Sequence, residues 1–291
     1  MKLLKELSVQ NILGEGIQWH HPSQSIWWTD IMSALLYQYI PESDITLTHI
    51  MPERVGSFAF TNIADRLIVA FASGIAFYHL KTKEIDWLAR PEQDNVGNRF
   101  NDGRVDRLGR FWAGTMVEDD ALSNNDGTLY LIDEHQNCHS VLNGLKISNS
   151  LCFDLNKDSF YHTDTPTHTI KRYKVPSQLS EFELINELTT IEDTHFPDGS
   201  CIDANNYLWN AQWGGAQVKR YAPDGTVNLT LNVPVPHPSC VAIGGSNLDW
   251  LIVSSAQQGL SKSELAKYPK SGNVFIYQLE HIKGVIENHY L

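Results

Sequence analysis

Glu15, Asn101, Asn149 and Asp198 are the residues of this chain whose types and spacing could do chemistry. Each stands about ten residues before an apolar residue that opens a short β-rich run. Two are carboxylates and two are amides, so all four offer oxygen atoms. Carboxylates aimed at one enclosed space repel each other when both are ionised. A divalent cation removes that cost, and amide oxygens complete its shell without adding charge. The donor set favours Ca²⁺, Mg²⁺ or Mn²⁺ over a thiolate-bound metal, with Ca²⁺ the first choice and Zn²⁺ and Fe²⁺ still open. Taken singly, an Asn or Asp before a strand usually caps local backbone amides. Four oxygen ligands at matching places in a repeat ask for more than capping.

The repeat is what must position them. Apolar residues open β-rich runs at Ile26, Leu67, Phe111, Phe160, Leu208 and Leu251, with successive starts 41 to 49 residues apart. That period is the length of a four-stranded propeller blade. Turn-forming Asn, Asp and Gly separate β-branched and aromatic runs, as hairpins require. Third strands recur at Leu35, Ile75, Thr128, Ile170, Val218 and Val274, and Pro41, Pro176 and Pro223 follow three of them. The expectation is an all-β fold, a six-bladed β-propeller with four-stranded blades, formed by residues 1–291 as one domain. Leu3 to Asn11 should pair with Val274 to Leu279 and close the ring. Radial repetition leaves only short, protected strand edges. Aligned on the apolar starts, Glu15, Gly56-Ser57, Asn101, Asn149, Asp198 and Ser239 begin the six inner strands and face one axis.

Composition narrows the class. The chain has 291 residues, 42% hydrophobic and 19% charged, with a formal charge of −12 and no strong run of one sign. That balance argues against nucleic acid or an anionic membrane as partner. No apolar stretch is long enough to span a bilayer. Met1 to Leu7 alternates with charge too soon for a secretory leader, so a cytoplasmic setting is expected. Cys138, Cys152, Cys201 and Cys240 form no C-x-x-C pair and read as reduced, buried thiols. His135 and His139 have metal-like spacing but fall in a turn between strands. His20-His21 reads as a solvated turn, and His162 as a packing residue standing where sister repeats carry apolar side chains. The Trp and Tyr residues read as core between blades, except Trp213, which falls in a loop and could line a pocket. No G-x-S-x-G elbow supports a serine-hydrolase mechanism.

Five motifs then add up to a resemblance. They are Leu13-Gly14-Glu15-Gly16, Asn98-Arg99-Phe100-Asn101-Asp102-Gly103, Phe111-Trp112-Ala113-Gly114-Thr115-Met116, Ile147-Ser148-Asn149-Ser150-Leu151 and Pro197-Asp198-Gly199. In order and coverage the chain resembles the SMP-30/gluconolactonase/LRE family of regucalcins and bacterial sugar lactonases. The resemblance implies one divalent metal held by Glu15, Asn149 and Asp198. It implies substrate contacts from Arg99, Asn101 and Glu118, and a second role for Asp198 as catalytic base. The implied reaction is hydrolysis of a sugar lactone to the aldonic acid, with the cation polarising the carbonyl, in a monomer or weak homo-oligomer. Two departures stand out: Ile17 replaces a common proline, and Ser150 replaces a common glycine. The rival from another class is a calcium-binding regulatory propeller without turnover, which has no use for Arg99 and Asn101.

Overall fold

The computed structural model describes residues 1–175 and 183–291; Pro176 lies outside them. Among these described residues, twenty-four strands form six antiparallel sheets of four. Five sheets use four consecutive strands. The sixth joins the strand Lys2–Leu7 to the outer side of Val274–Gln278, so the first strand of the chain closes the last blade. The inner strands are Gly14–His20, Val55–Phe60, Asn98–Val105, Ser148–Phe153, Phe196–Ile202 and Pro238–Gly244. Each touches the next around the ring, and the last touches the first. All six expected apolar starts lie on the second strand of a separate blade. The fold is a six-bladed β-propeller.

Apolar burial is organised between blades. Trp28, Phe58 and Ile26 illustrate the pattern: second-strand and inner-strand side chains meet those of the neighbouring blade in separate clusters around the ring. Trp28, Trp112 and Trp209 are fully buried. Each of those indoles needs a partner for its N–H. Asp106 accepts from Trp112 and Asp203 from Trp209, while the same carboxylates cap the hairpin turns that follow the inner strands. Arg110 and Arg220 bind the same two aspartates at 2.7 Å. This device repeats from blade 3 to blade 5 and ties turn, core and blade edge together.

All six inner strands carry a register shift near their beginning. A bulge bends a strand and re-aims the side chains beside it. Close approach around the axis also needs small residues: a Cβ on Gly199 would lie 2.5 Å from Cys240 Sγ. Cys152, Cys201 and Cys240 are buried on inner strands, Cys138 is half-buried, and all four are free thiols.

The hairpin turns after the inner strands mark the face opposite the site. After Gln278 the chain crosses that face. Gly284 bonds to Leu248, Asn288 to Asp106, Tyr290 to Phe60 and Leu291 to Gly109, so the segment spans turns of blades 6, 3 and 2. His20 stacks on Phe60 at 3.9 Å and neighbours His289 of this strap, which corrects the reading of His20 as a solvated turn residue. His135 sits in the expected turn, but His139 lies on the strand Cys138–Leu145 rather than in the turn, and its Nε2 donates to Asp133, the carboxylate that organises the turn. No helix of the described residues is long and apolar enough to cross a membrane.

Candidate active site

At the beginnings of the inner strands lies a cavity of about 290 Å³. Glu15, Arg99, Asn101, Asn149 and Asp198 all line it, on the side away from the C-terminal strap. Apolar side chains form much of the wall, including Met116, Phe196 and Trp213. Trp213 is the last residue of the strand Leu208–Trp213 rather than a loop residue, and it stacks on His237 at 4.2 Å. Thr165 and Pro166 enter the lining from a 3-10 turn, Thr165–Thr167.

The polar groups reach the cavity in two phases, not one. Glu15 and Asn149 are the last paired residues before the bulges of blades 1 and 4, opposite Thr29 and Thr163. Asn101 and Asp198 are the first unpaired residues within the bulges of blades 3 and 5. On a regular strand that offset of one residue would turn the two pairs to opposite faces. The bulges undo it. In blades 1 and 4 the residue after Glu15 or Asn149, Gly16 or Ser150, is left-handed at φ +59° in both. Asn101 and Asp198 keep negative φ.

Ser150 occupies that left-handed position at some cost in backbone strain. Its hydroxyl donates to the Asp198 carbonyl at 2.6 Å, and Asn210 Nδ2 donates to the same carbonyl at 2.9 Å. The serine in place of the common glycine therefore ties the inner strands of blades 4 and 5 together beside two site residues. Ile17, the other departure, is fully buried in the core between blades 6 and 1.

The amides form a chain with defined polarity. Arg99 Nη1 donates to Asn101 Oδ1 at 2.8 Å. Asn101 Nδ2 donates to Asn149 Oδ1 at 3.0 Å and to the Ser148 carbonyl. Asn149 Nδ2 donates to Thr165 Oγ1 at 2.9 Å. An amide oxygen has two lone pairs. Asn149 Oδ1 thus keeps one for the cavity, and the amide's orientation is set by a donor, Asn101, on one side and an acceptor, Thr165 Oγ1, on the other.

Electrostatics separate the carboxylates from ordinary surface acids. The Glu15 carboxyl is pushed up to about 8, by burial first and then by Asp102. Asp198 is also raised well above the usual range, by burial first and then by Glu15. Among the described residues only adjacent backbone amides, Gly16 for Glu15 and Gly199 for Asp198, bond to these carboxylates. Beneath them Asp102 accepts from the Gly103 and Leu151 amides. Arg104 reaches across the axis to the carbonyls of Ile17 and Ser200. Sequence reading left both residues without a role. Their alternation with Asn101 was the available signal, since residues i+1 and i+3 of the same inner strand must also approach the axis.

The half-buried Glu15 and the buried Asp198, without side-chain donors among the described residues, plus a preset amide oxygen, fit a hard divalent cation. Among the described residues no group of three His, Cys, Asp or Glu forms a metal site, so such a cation would depend on amide oxygen as well as carboxylate. Glu118 is placed differently from the other expected site residues. It does not line the cavity; its Oε1 accepts from Arg99 Nε at 2.9 Å, and its carboxylate forms a two-bond pair with Arg54 at 2.8 Å and 2.8 Å.

Known proteins resemble this chain in sequence and fold. The chain is 33% identical over 267 residues to the 6-deoxy-6-sulfogluconolactonase of Pseudomonas putida, covering 91% of this chain and 90% of that protein. It is 33% identical over 275 residues to the L-arabinolactonase of Azospirillum brasilense, covering 94% and 90%. A crystal structure of a calcium-binding protein, regucalcin from Agrobacterium tumefaciens, superposes with a TM-score of 0.90 at 26% identity, covering 99% and 98% of the two chains. The sequence profile of the SMP-30/Gluconolactonase/LRE-like region matches residues 13–257, so with the propeller and its axial cavity the chain belongs to that family.

Proposed function

We propose that this protein is a metal-dependent sugar lactonase that opens a lactone to the corresponding aldonic acid. One observation carries the reading: a buried and a half-buried carboxylate, both under-hydrogen-bonded, converge with an oriented amide oxygen and an arginine on one small cavity. The named relatives supply the substrate class, since one is called a sulfogluconolactonase and another an arabinolactonase.

Glu15, Asn149 and Asp198 would hold the cation. When bound, a divalent metal supplies Lewis-acid polarisation of the carbonyl. The protein's own residues do the rest. Asp198, which among the described residues is bonded only by the Gly199 amide, accepts the proton of the attacking water. Arg99 offers Nη2, the one guanidinium nitrogen that makes no hydrogen bond among the described residues, to a substrate oxygen. Asn101 spends both N–H groups inside the protein and keeps one lone pair of Oδ1 for a sugar hydroxyl. Trp213 and Phe196 give an apolar wall to the carbon face of the ring.

The test is acid release from a panel of five- and six-carbon lactones, before chelation, after chelation and after adding back single divalent cations. Chelation should abolish turnover and a divalent cation should restore it. A metal-replete protein that leaves every lactone at its spontaneous rate would refute the enzyme reading and favour a binding propeller. Unchanged turnover after complete metal removal would refute metal dependence alone.

A further inference from the structure

Glu118 is the carboxylate of this region that stands behind the cavity wall rather than in it. Both its oxygens are engaged by guanidinium groups. Arg54, from the segment leading into the inner strand of blade 2, donates Nη1 to Oε1 and Nη2 to Oε2, each at 2.8 Å. Arg99, from the inner strand of blade 3, donates Nε to the same Oε1 at 2.9 Å. A planar two-bond fork of this kind fixes orientation as well as position. Oε1 then has both lone pairs committed, so little acceptor capacity is left for a sugar hydroxyl.

The consequence falls on Arg99. Its side chain is 3% exposed, whereas Arg54 and Glu118 are each 32% exposed. Two of its nitrogens are held inside the protein: Nε by Glu118, and Nη1 by the Phe100 carbonyl and Asn101. With Nε and Nη1 pinned, the plane of the guanidinium is set and Nη2 is left for the cavity. Glu118 can pin Nε only while its own carboxylate is held, and Arg54 is the group that holds it. Burial works against the charge on Glu118, but the bonds from Arg54 and the nearby Arg99 outweigh it and keep its pKa low.

We propose that Arg54 is a positioning residue for the active site, acting through Glu118 to orient Arg99 toward the substrate. Glu118 accordingly serves Arg99 more than it serves the sugar. The proposal rests on the lactonase reading for its kinetic test, though not for its structural one. Arg54 lies 45 residues before Arg99 in the chain, in another blade, so no local motif connects them.

The experiment uses the full chain with its native metal and compares Arg54→Ala, Arg54→Lys, Glu118→Ala and the double variant Arg54→Ala/Glu118→Ala. With the best lactone of the panel, Arg54→Ala should raise KM about tenfold and change kcat less than about threefold, the scale of one charged hydrogen-bond partner. Lysine reaches one oxygen, not two, so Arg54→Lys should recover part of the loss. If Arg54 acts only through Glu118, the double variant should be no worse than Glu118→Ala, a full loss of additivity. Thermal midpoint should hardly move, because Arg54 is a third exposed. The second measurement is hydrogen exchange of the Arg99 Nε–H signal in ¹⁵N-labelled protein, assigned by its loss in Arg99→Lys. Exchange should speed up about tenfold or more in Arg54→Ala. An unchanged exchange rate overturns the proposal, as does an unchanged KM in a protein that hydrolyses lactones, or additive losses in the double variant. If the wild-type protein hydrolyses no lactone, the functional reading has failed, and the exchange rate alone decides for or against Arg54 as the group that positions Arg99.

Discussion

Glu15→Gln in the chelated protein should stabilise the fold, although it removes a proposed metal ligand. The Glu15 carboxyl is raised from 4.5 to about 8. A folded-state pKa above the unfolded value means that the folded protein holds the proton more tightly. The penalty is therefore absent below pH 4.5, grows as pH rises, and is complete above about 8. In the fully buried limit this amounts to about 1.4 kcal/mol per pH unit, or about 3 kcal/mol at pH 7. Glu15 retains some exposure on the cavity floor. Solvent screening brings the figure to about 1–2 kcal/mol, or about 2–4 °C in thermal midpoint for a chain of this size. Gln keeps the shape and removes the charge. The chelated variant should melt above the chelated wild type at pH 8, and the difference should vanish near pH 4.5. With saturating divalent cation the order should reverse, because only the wild type gains the full binding free energy. Thermal scans at both pH values, with and without cation, decide it. A chelated variant that melts no higher than wild type at pH 8 would refute the reasoning. So would a difference of equal size at both pH values, since that would not come from titration.

Three other expectations concern single residues. Asp198→Asn should lower kcat by about 10²-fold or more while keeping an oxygen ligand, and metal content measured beside activity separates loss of the base from loss of the cation. Asn101→Ala should raise KM more than it lowers kcat, and it should also weaken cation affinity by calorimetry, because Asn149 Oδ1 loses the donor that sets its direction. His162 is fully buried against Ser148, and burial, then Lys171, lowers its pKa from 6.5 to about 3. Its stability contribution is complete above pH 6.5 and is lost as pH falls toward 3, so His162→Gln should reduce the fall in stability between pH 7 and 4.5 by about 2 kcal/mol in denaturant titrations.

The propeller was legible because its signals are local. Each blade announces itself by an apolar start, a polar hairpin turn and a third strand ending in aromatic residues, and these recur at blade length. Ring closure was legible for a related reason: Val274–Gln278 is a third strand with no fourth behind it, and Lys2–Leu7 is a strand with no blade in front of it. Three features were hidden. The stacking of His20 on Phe60 and beside His289 depends on a C-terminal strap crossing the far face, and nothing in residues 279–291 reads as a strand. Arg54 meets Glu118 across a blade boundary at a separation of 64 residues. Arg104 meets the carbonyls of Ile17 and Ser200 only because the ring closes around it.

The site shows the limit most sharply. Counting back about ten residues from each apolar start found Glu15, Asn101, Asn149 and Asp198, and the cavity collects all four. The count treated them as equivalent, whereas their pairing partners place them one residue apart along their strands. A period-two strand cannot send both phases to one face. The conflict is resolved in the backbone, by a left-handed residue after Glu15 and after Asn149 and by its absence at Asn101 and Asp198. Glycine at position 16 makes that conformation visible in the sequence, since glycine favours it. Serine at position 150 conceals it. The same φ at both positions shows that the backbone requirement is common to blades 1 and 4, while the serine hydroxyl adds a bond to the Asp198 carbonyl that glycine cannot make. What the sequence displays as a departure from its family at Ser150 is thus the same turn with a cross-blade tie added. The residue types of the site can be read from spacing, but their convergence is a property of the bulges.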